Sequence, residues 1–150
     1  MSKEFFYWTE TSGRCSEKRN QAMSRTEKKK ILVVDDDLLT TEIAKAILEK
    51  HGFSVITAKD GETALSLAQH ENPDLILLDA VLPTIDGSTV CRSLKESKRF
   101  RDTPILMLTA RGFISDIEKG KAAGADEYII KPFAGKALVA KIKRHLGMSN

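Results

Sequence analysis

Asp74-Leu75-Ile76-Leu77-Leu78-Asp79-Ala80-Val81-Leu82-Pro83 is the stretch whose reading decides the fold. Its apolar run has no alternation, so it cannot show one face to water and belongs in the middle of a sheet covered on both sides. The run ends on Asp79, and open parallel sheets place their chemistry at the carboxyl ends of strands. A lone Asp there serves equally well as a turn or helix cap. The rest of the chain decides between the two.

Upstream, Ile31-Leu32-Val33-Val34 is a second buried run that leads straight into Asp35-Asp36-Asp37. Residues 38–51 follow with a helical stripe of Leu39, Ile43, Ala44, Ile47 and Leu48, closed by Gly52 as a left-handed cap. Phe53 to Ala58 reads as a strand. Asp60 caps a helix carrying Ala64, Leu65 and Ala68, which stops before Asn72-Pro73. Downstream of the central run, a helix after Gly87 carries Val90, Cys91 and Leu94. Ile105-Leu106-Met107-Leu108 is a buried strand ending in Thr109-Ala110. Ser115 to Glu118 has capping-box spacing and starts a helix that Gly124 ends. Glu127 to Ile130 is the fifth strand, leading into Lys131-Pro132-Phe133, and the last helix runs through Leu138, Val139, Ile142 and Leu146. Five strands alternating with five helices imply an α/β fold, a parallel sheet wound on both faces by right-handed crossovers.

The 150 residues suit one domain, and neither composition nor hydropathy points to a membrane span. Residues 1–30 hold eight Lys/Arg against four Asp/Glu, so the net charge of +3 resides in this segment and the body is near neutral. A basic isoelectric point therefore says little about nucleic acid. Residues 1–28 read as a disordered N-terminal extension with an aromatic cluster, Phe5-Phe6-Tyr7-Trp8, that is too short for a signal peptide. Met23 offers an alternative start. Cys15 and Cys91 have neither disulfide-framework nor metal-ligand spacing, which fits the cytoplasm.

The topology gathers Asp35, Asp36, Asp79, Thr109 and Lys131 along one edge. Crowded carboxylates repel, and a divalent cation with oxygen ligands relieves them. Mg²⁺ fits, with one oxygen each from Asp36 and Asp79, the Val81 carbonyl as a third ligand, and Asp35 holding metal-bound water. Lys131 can pair with Asp79 or with a phosphoryl group on it, and Thr109 offers a hydroxyl. Such a carboxylate is equipped to attack phosphorus and to hold the acyl phosphate formed.

Leu32-Val33-Val34-Asp35-Asp36, Leu77-Leu78-Asp79 with Pro83 and Asp86-Gly87, Leu108-Thr109-Ala110, Gly124-Ala125-Asp126 and Lys131-Pro132-Phe133 together resemble the receiver domain of two-component response regulators, over residues 29–147. The resemblance implies a flavodoxin-like (βα)5 sheet of order 2-1-3-4-5. It implies that Asp79 accepts a phosphoryl group from a sensor histidine kinase or phosphotransfer protein, that Asp35 and Asp36 organise Mg²⁺, and that Thr109 and Lys131 read the phosphate. Tyr128 stands at the family's switch aromatic, able to rotate as Thr109 is drawn toward the phosphoryl group, and Lys131-Pro132 is expected cis. Val81 and Arg111 stand where the family tunes hydrolysis.

Three departures qualify the resemblance. Glu118, Lys121 and Ile117 do not match the pattern by which receivers of winged-helix regulators pair, so a monomer or weak dimer is expected. The fifth helix begins Ala134-Gly135-Lys136-Ala137 without a capping side chain, which predicts fraying there. No DNA-reading helix is evident, so direct DNA binding is not expected, and the downstream partner is an unidentified protein. The leading expectation is a stand-alone receiver. The alternatives are a Mg²⁺-dependent phosphatase with an aspartyl nucleophile, or a receiver detached from a longer regulator. Val81 stands where such a phosphatase needs its second Asp, two residues past the nucleophile.

Overall fold

The structure, a computed structural model, describes residues 28–110 and 114–148. The expected extension, apart from Lys28, and Arg111 lie outside the described residues. Five strands, β1 (Lys30–Val34), β2 (Ser54–Ala58), β3 (Leu75–Asp79), β4 (Ile105–Ala110) and β5 (Glu127–Lys131), pair in parallel in the order β2-β1-β3-β4-β5. Between and after them run α1 (Leu38–Lys50), α2 (Gly61–Glu71), α3 (Gly87–Glu96), α4 (Ile114–Ala123) and α5 (Gly135–His145).

Strand alternation divides the core in two. Leu32, Val34, Ile76, Leu78, Ile105 and Met107 face α2, α3 and α4, where Ala64, Ala68, Val90, Cys91, Leu94 and Ala123 pack on them. Ile31, Val33, Leu75, Leu77, Leu106, Leu108 and Ile129 face Ala44 and Leu48 of α1 and Leu138, Val139 and Ile142 of α5. The central strands β1, β3 and β4 are buried almost throughout, whereas the edge strands β2 and β5 are only partly covered. This is why the first three read as unbroken apolar runs.

Local signals set the helix ends. The N–H groups of Gly52 and Phe53 close α1 onto the carbonyls of Glu49 (3.1 Å) and Leu48 (3.0 Å), a Schellman arrangement that uses φ +90° at Gly52. Asp60 Oδ1 accepts from the N–H of Thr63 at 2.7 Å to start α2, and Asn72 in the left-handed region ends it. Glu127 at the start of β5 accepts hydrogen bonds from Lys141, Arg144 and His145, which tie the last turns of α5 to the sheet.

Two expectations are corrected. Leu39 and Ile43 are 66% and 45% exposed, and the inward side of α1 is Thr41, Ala44 and Leu48. The helix turns Thr41, Ala44 and Leu48 toward the sheet, which leaves Leu39 and Ile43 on its outer side. The fourth helix begins at Ile114, which places Ser115 inside the first turn rather than at the cap; helix ends vary by a residue or two under any definition.

Ala134 stands at the N-cap of α5 with no side-chain bond. Ala134→Ser should raise stability in denaturant unfolding by about 1 kcal/mol. Amide exchange at residues 135–137 should slow with it.

Burial raises the Glu127 carboxyl, but hydrogen bonds from Lys141, His145 and Arg144 outweigh it and hold the group down to about 2. Its stabilising effect is present above the ordinary carboxylate range and lost as pH falls toward 2. Acid unfolding of Glu127→Gln should therefore show a shallower loss of stability between about pH 4.5 and 2 than the native protein.

Candidate functional site

Parallel pairing delivers the strand ends to one edge, and register sets who meets whom. Val34 pairs with Leu78, Asp79 with Leu108 and Ala110 with Lys131. Asp35, Asp79 and Lys131 continue the alternation of the residues beneath α1 and α5, while Thr109 continues that of Ile105 and Met107 on the other face. Gly87 makes the turn beyond Asp79 feasible. A Cβ there would lie 2.1 Å from the Asp79 carbonyl oxygen and 2.9 Å from Ala80 Cα. With hydrogen in that place, the Gly87 N–H reaches the Ala80 carbonyl at 3.1 Å and α3 starts directly against the end of β3.

The Lys131 ammonium reaches two carboxylates at once, Asp35 Oδ2 at 2.9 Å and Asp79 Oδ2 at 3.2 Å. The other oxygens are held by backbone: Asp37 N–H donates to Asp35 Oδ1 at 2.9 Å, and Val81 N–H to Asp79 Oδ1 at 3.2 Å. Asp35 and Asp79 are buried and Asp36 is exposed. One oxygen from each of the three lies within 4.8 Å of the others. Asp36, Asp79, Val81, Ala110 and Lys131 line one cleft together with Leu82 and Pro83.

The electrostatics follow from this crowding. Burial, then the charge of Asp35, pushes the Asp79 carboxyl up to about 6, against the pull of Lys131 and the Val81 N–H. Burial alone would depress Lys131, but the hydrogen bond and charge from Asp35 and Asp79 keep its ammonium above the usual value. Three carboxylates facing one ammonium leave a negative excess, and every candidate ligand is a hard oxygen. That donor set fits Mg²⁺, with Asp35, Asp36, Asp79 and the Val81 carbonyl as the groups that would hold it.

Thr109 is buried, and its hydroxyl contacts only the Ala110 carbonyl, at 3.4 Å, among the described residues. It is near the acids but not bonded to them. Tyr128, half-buried on β5, stands opposite Met107 in register, on the same face as Thr109. The Lys131-Pro132 bond is cis. Sequence reasoning missed Asp37, whose Oδ1 caps α1 through the N–H of Leu39 (3.2 Å) and whose Oδ2 accepts from Thr40 (2.7 Å). The signal was present, since an Asp immediately before a helical segment is an N-cap pattern.

The family model for the response regulator receiver domain matches residues 31–143. The "Probable transcriptional regulator ycf27" of Cyanophora paradoxa is 46% identical over 116 residues, 77% of this chain and 47% of the relative. The alkaline phosphatase synthesis transcriptional regulatory protein PhoP of Bacillus subtilis is 46% identical over 121 residues, 81% of this chain and 50% of the relative. The chain thus spans about half the length of these curated relatives. Among solved structures, a response regulator from Chloroflexus aurantiacus superimposes with TM-score 0.78 at 38% identity, covering 81% of this chain and 99% of that one. The receiver domain of a sensor histidine kinase from Pseudomonas aeruginosa, solved with a magnesium ion coordinated in its active-site cleft, gives 0.76 at 31% identity, covering 81% and 99%.

Because the folded-state value of Asp79 lies above that of an unfolded carboxyl, its proton stabilises the fold below the ordinary range, and that contribution is lost as pH rises through about 6. In chelator-treated protein, Asp79→Asn should remove this decline. The variant should be more stable at pH 7 by about 1–2 kcal/mol, less than the whole shift because Lys131 and water at the cleft mouth screen the charge. Urea unfolding between pH 4 and 8 reads both effects; an unchanged slope would refute the coupling.

Proposed function

The chain belongs to the response regulator receiver family, and from that premise we propose that it is a phosphorylation-controlled binding module with Asp79 as phosphoacceptor. Receiver domains are signalling modules that accept phosphoryl groups from histidine kinases, rather than classical enzymes. The observation that carries the reading is the Lys131 ammonium held between Asp35 and Asp79, beside Asp36.

In the transfer, an Asp79 oxygen bonds to phosphorus as the phosphorus–nitrogen bond of a donor phosphohistidine breaks and the imidazole leaves with its electron pair. Bound Mg²⁺ would neutralise charge on the phosphoryl oxygens. Lys131, already 3.2 Å from Asp79, shifts its pairing from that carboxylate to the phosphoryl group. Thr109 turns its hydroxyl toward the new acceptor oxygens. Tyr128 responds on the same face of the sheet and alters the surface formed by α4, β5 and α5. The downstream protein reads that surface.

The receiver is taken to span residues 29–147, following an N-terminal extension, and to work in the cytoplasm as a monomer or weak dimer. No helix among the described residues is long and apolar enough to cross a membrane. Glu118 and Lys121 are exposed on α4, where burying them unpaired in a dimer would be costly. The stand-alone reading is supported by the likeness to the chemotaxis response regulator CheY4 of Vibrio cholerae, matched over 99% of its chain. A second reading, the receiver of a longer transcriptional regulator, is favoured by the half-length match to the curated relatives.

With Mg²⁺ and acetyl phosphate, intact-mass measurement should find one added phosphoryl group, none on Asp79→Asn, and no sustained release of phosphate. Equal labelling of Asp79→Asn would overturn the assignment. Beryllofluoride, standing in for the phosphoryl group, should change partner capture by the native protein but not by Tyr128→Ala.

A further inference from the structure

Tyr128 is the anomaly of this fold. Its hydroxyl is buried and, among the described residues, has no hydrogen-bond partner. Buried polar groups are nearly always paired. If the ring's seat served packing alone, phenylalanine would fill it without that penalty. A phenol inside it is drawn inward by ring burial and outward by the hydroxyl's demand for water. The two terms oppose each other.

Gly120 is what leaves room for the inward position. It lies within α4, where alanine would make the better helix. A Cβ there would come within 2.9 Å of Tyr128 Cε1, 3.1 Å of its hydroxyl oxygen and 3.3 Å of Met107 Cγ. Met107, 1% exposed and packed into the core below, lies farther off and would have to yield by only a few tenths of an ångström, so the main conflict is with Tyr128. The Tyr128 ring can give way, because it sits at the outer end of a half-buried side chain on an edge strand. The hydrogen of Gly120 is therefore the near wall of the seat, and the ring is the movable part.

We infer that Gly120 is a positioning residue for Tyr128: the missing side chain in α4 admits the phenol, and any larger residue at 120 turns it out onto the surface of α4, β5 and α5. The assignment rests on geometry, and its functional meaning rests on Tyr128 being the switch proposed above. Register supplies the link to the site. Met107 stands opposite Tyr128 and Thr109 opposite Ile130, so the seat and the Thr109 hydroxyl occupy the same face of neighbouring strands.

The test is Gly120→Ala, followed by NMR of ring-labelled tyrosine with a soluble paramagnetic probe. The chain has two tyrosines, and Tyr7→Phe assigns the Tyr128 signal. Relaxation of the Tyr128 ring by the probe should rise several-fold in Gly120→Ala; an equally protected ring would overturn the inference. Unfolding midpoints give a second readout. Alanine in a helix normally stabilises relative to glycine, so Gly120→Ala should raise the midpoint in a Tyr128→Ala background and fail to do so with Tyr128 present. An equal rise in both backgrounds would overturn it, whereas a single variant that folds only once Tyr128 is removed would support it. Beryllofluoride affinity with Mg²⁺ separates the two readings. If the ring moves out and affinity falls several-fold, both stand. If the ring moves and affinity is unchanged, Gly120 keeps its role and Tyr128 is not the switch.

Discussion

A single ammonium group shared by two buried carboxylates is the constraint from which the rest of the site follows. Lys131 belongs to β5, Asp79 to β3 and Asp35 to the end of β1, so the side chain must cross the end of β4 to reach both. Adjacent strands lie about 4.8 Å apart, and the crossing is long for one lysine. It succeeds for two reasons. All three residues share the alternation that faces α1 and α5, and Ala110, the register partner of Lys131, lies in the path with only a methyl group.

The same arrangement works against the stability of the fold. Asp79 is buried beside Asp35 and resists ionisation, with Lys131 only partly compensating. The deficit is offset elsewhere: in three central strands sealed on both faces, in the Schellman closure of α1, and in the Glu127 cluster that ties α5 to the far end of β5. The acids are crowded at one pole and the compensating contacts lie away from it, which is how a site built on repulsion persists within a stable sheet.

Strand identity, helix placement and the gathering of the acids were legible because a buried parallel strand carries no alternating pattern and parallel topology brings its ends together. The order of the strands was not in the periodicity; it came with the family resemblance. The expected stripe of α1 holds at Ala44, Ile47 and Leu48 and fails at Leu39 and Ile43, because two stripes overlap there. Leu39 and Ile43 are the more apolar yet are exposed, whereas Thr41, Ala44 and Leu48, with Ile47 beside them, meet the core. Hydrophobicity ranks stripes, but only the neighbouring elements decide which one is covered. Asp37 escaped notice because a run of three acids invites one shared explanation. Its part in the structure is to cap α1 and to hold Asp35 through backbone. The bond from Lys131 to Asp35 and the fit of Gly120 against Tyr128 depend on side-chain reach across strands, which spacing along the chain does not encode.

The alternation that assembles the acids also separates them from Thr109 and Tyr128. Asp35, Asp79 and Lys131 follow the face covered by α1 and α5, while Thr109 and Tyr128 follow the face covered by α2, α3 and α4. A phosphoryl group on Asp79 would sit at the end of β3, beyond the last backbone pair, where neither face is closed off. There it can be met by Lys131 from one side and by Thr109 from the other. Only β5 carries a residue of each kind, Tyr128 and Lys131, three positions apart and therefore on opposite faces. As an edge strand, β5 pairs with one neighbour alone, β4. Under the proposed function, a change at the acids would reach the α4 side through β4, by Thr109, or through β5 itself, and the two routes would converge on the ring that Gly120 adjoins.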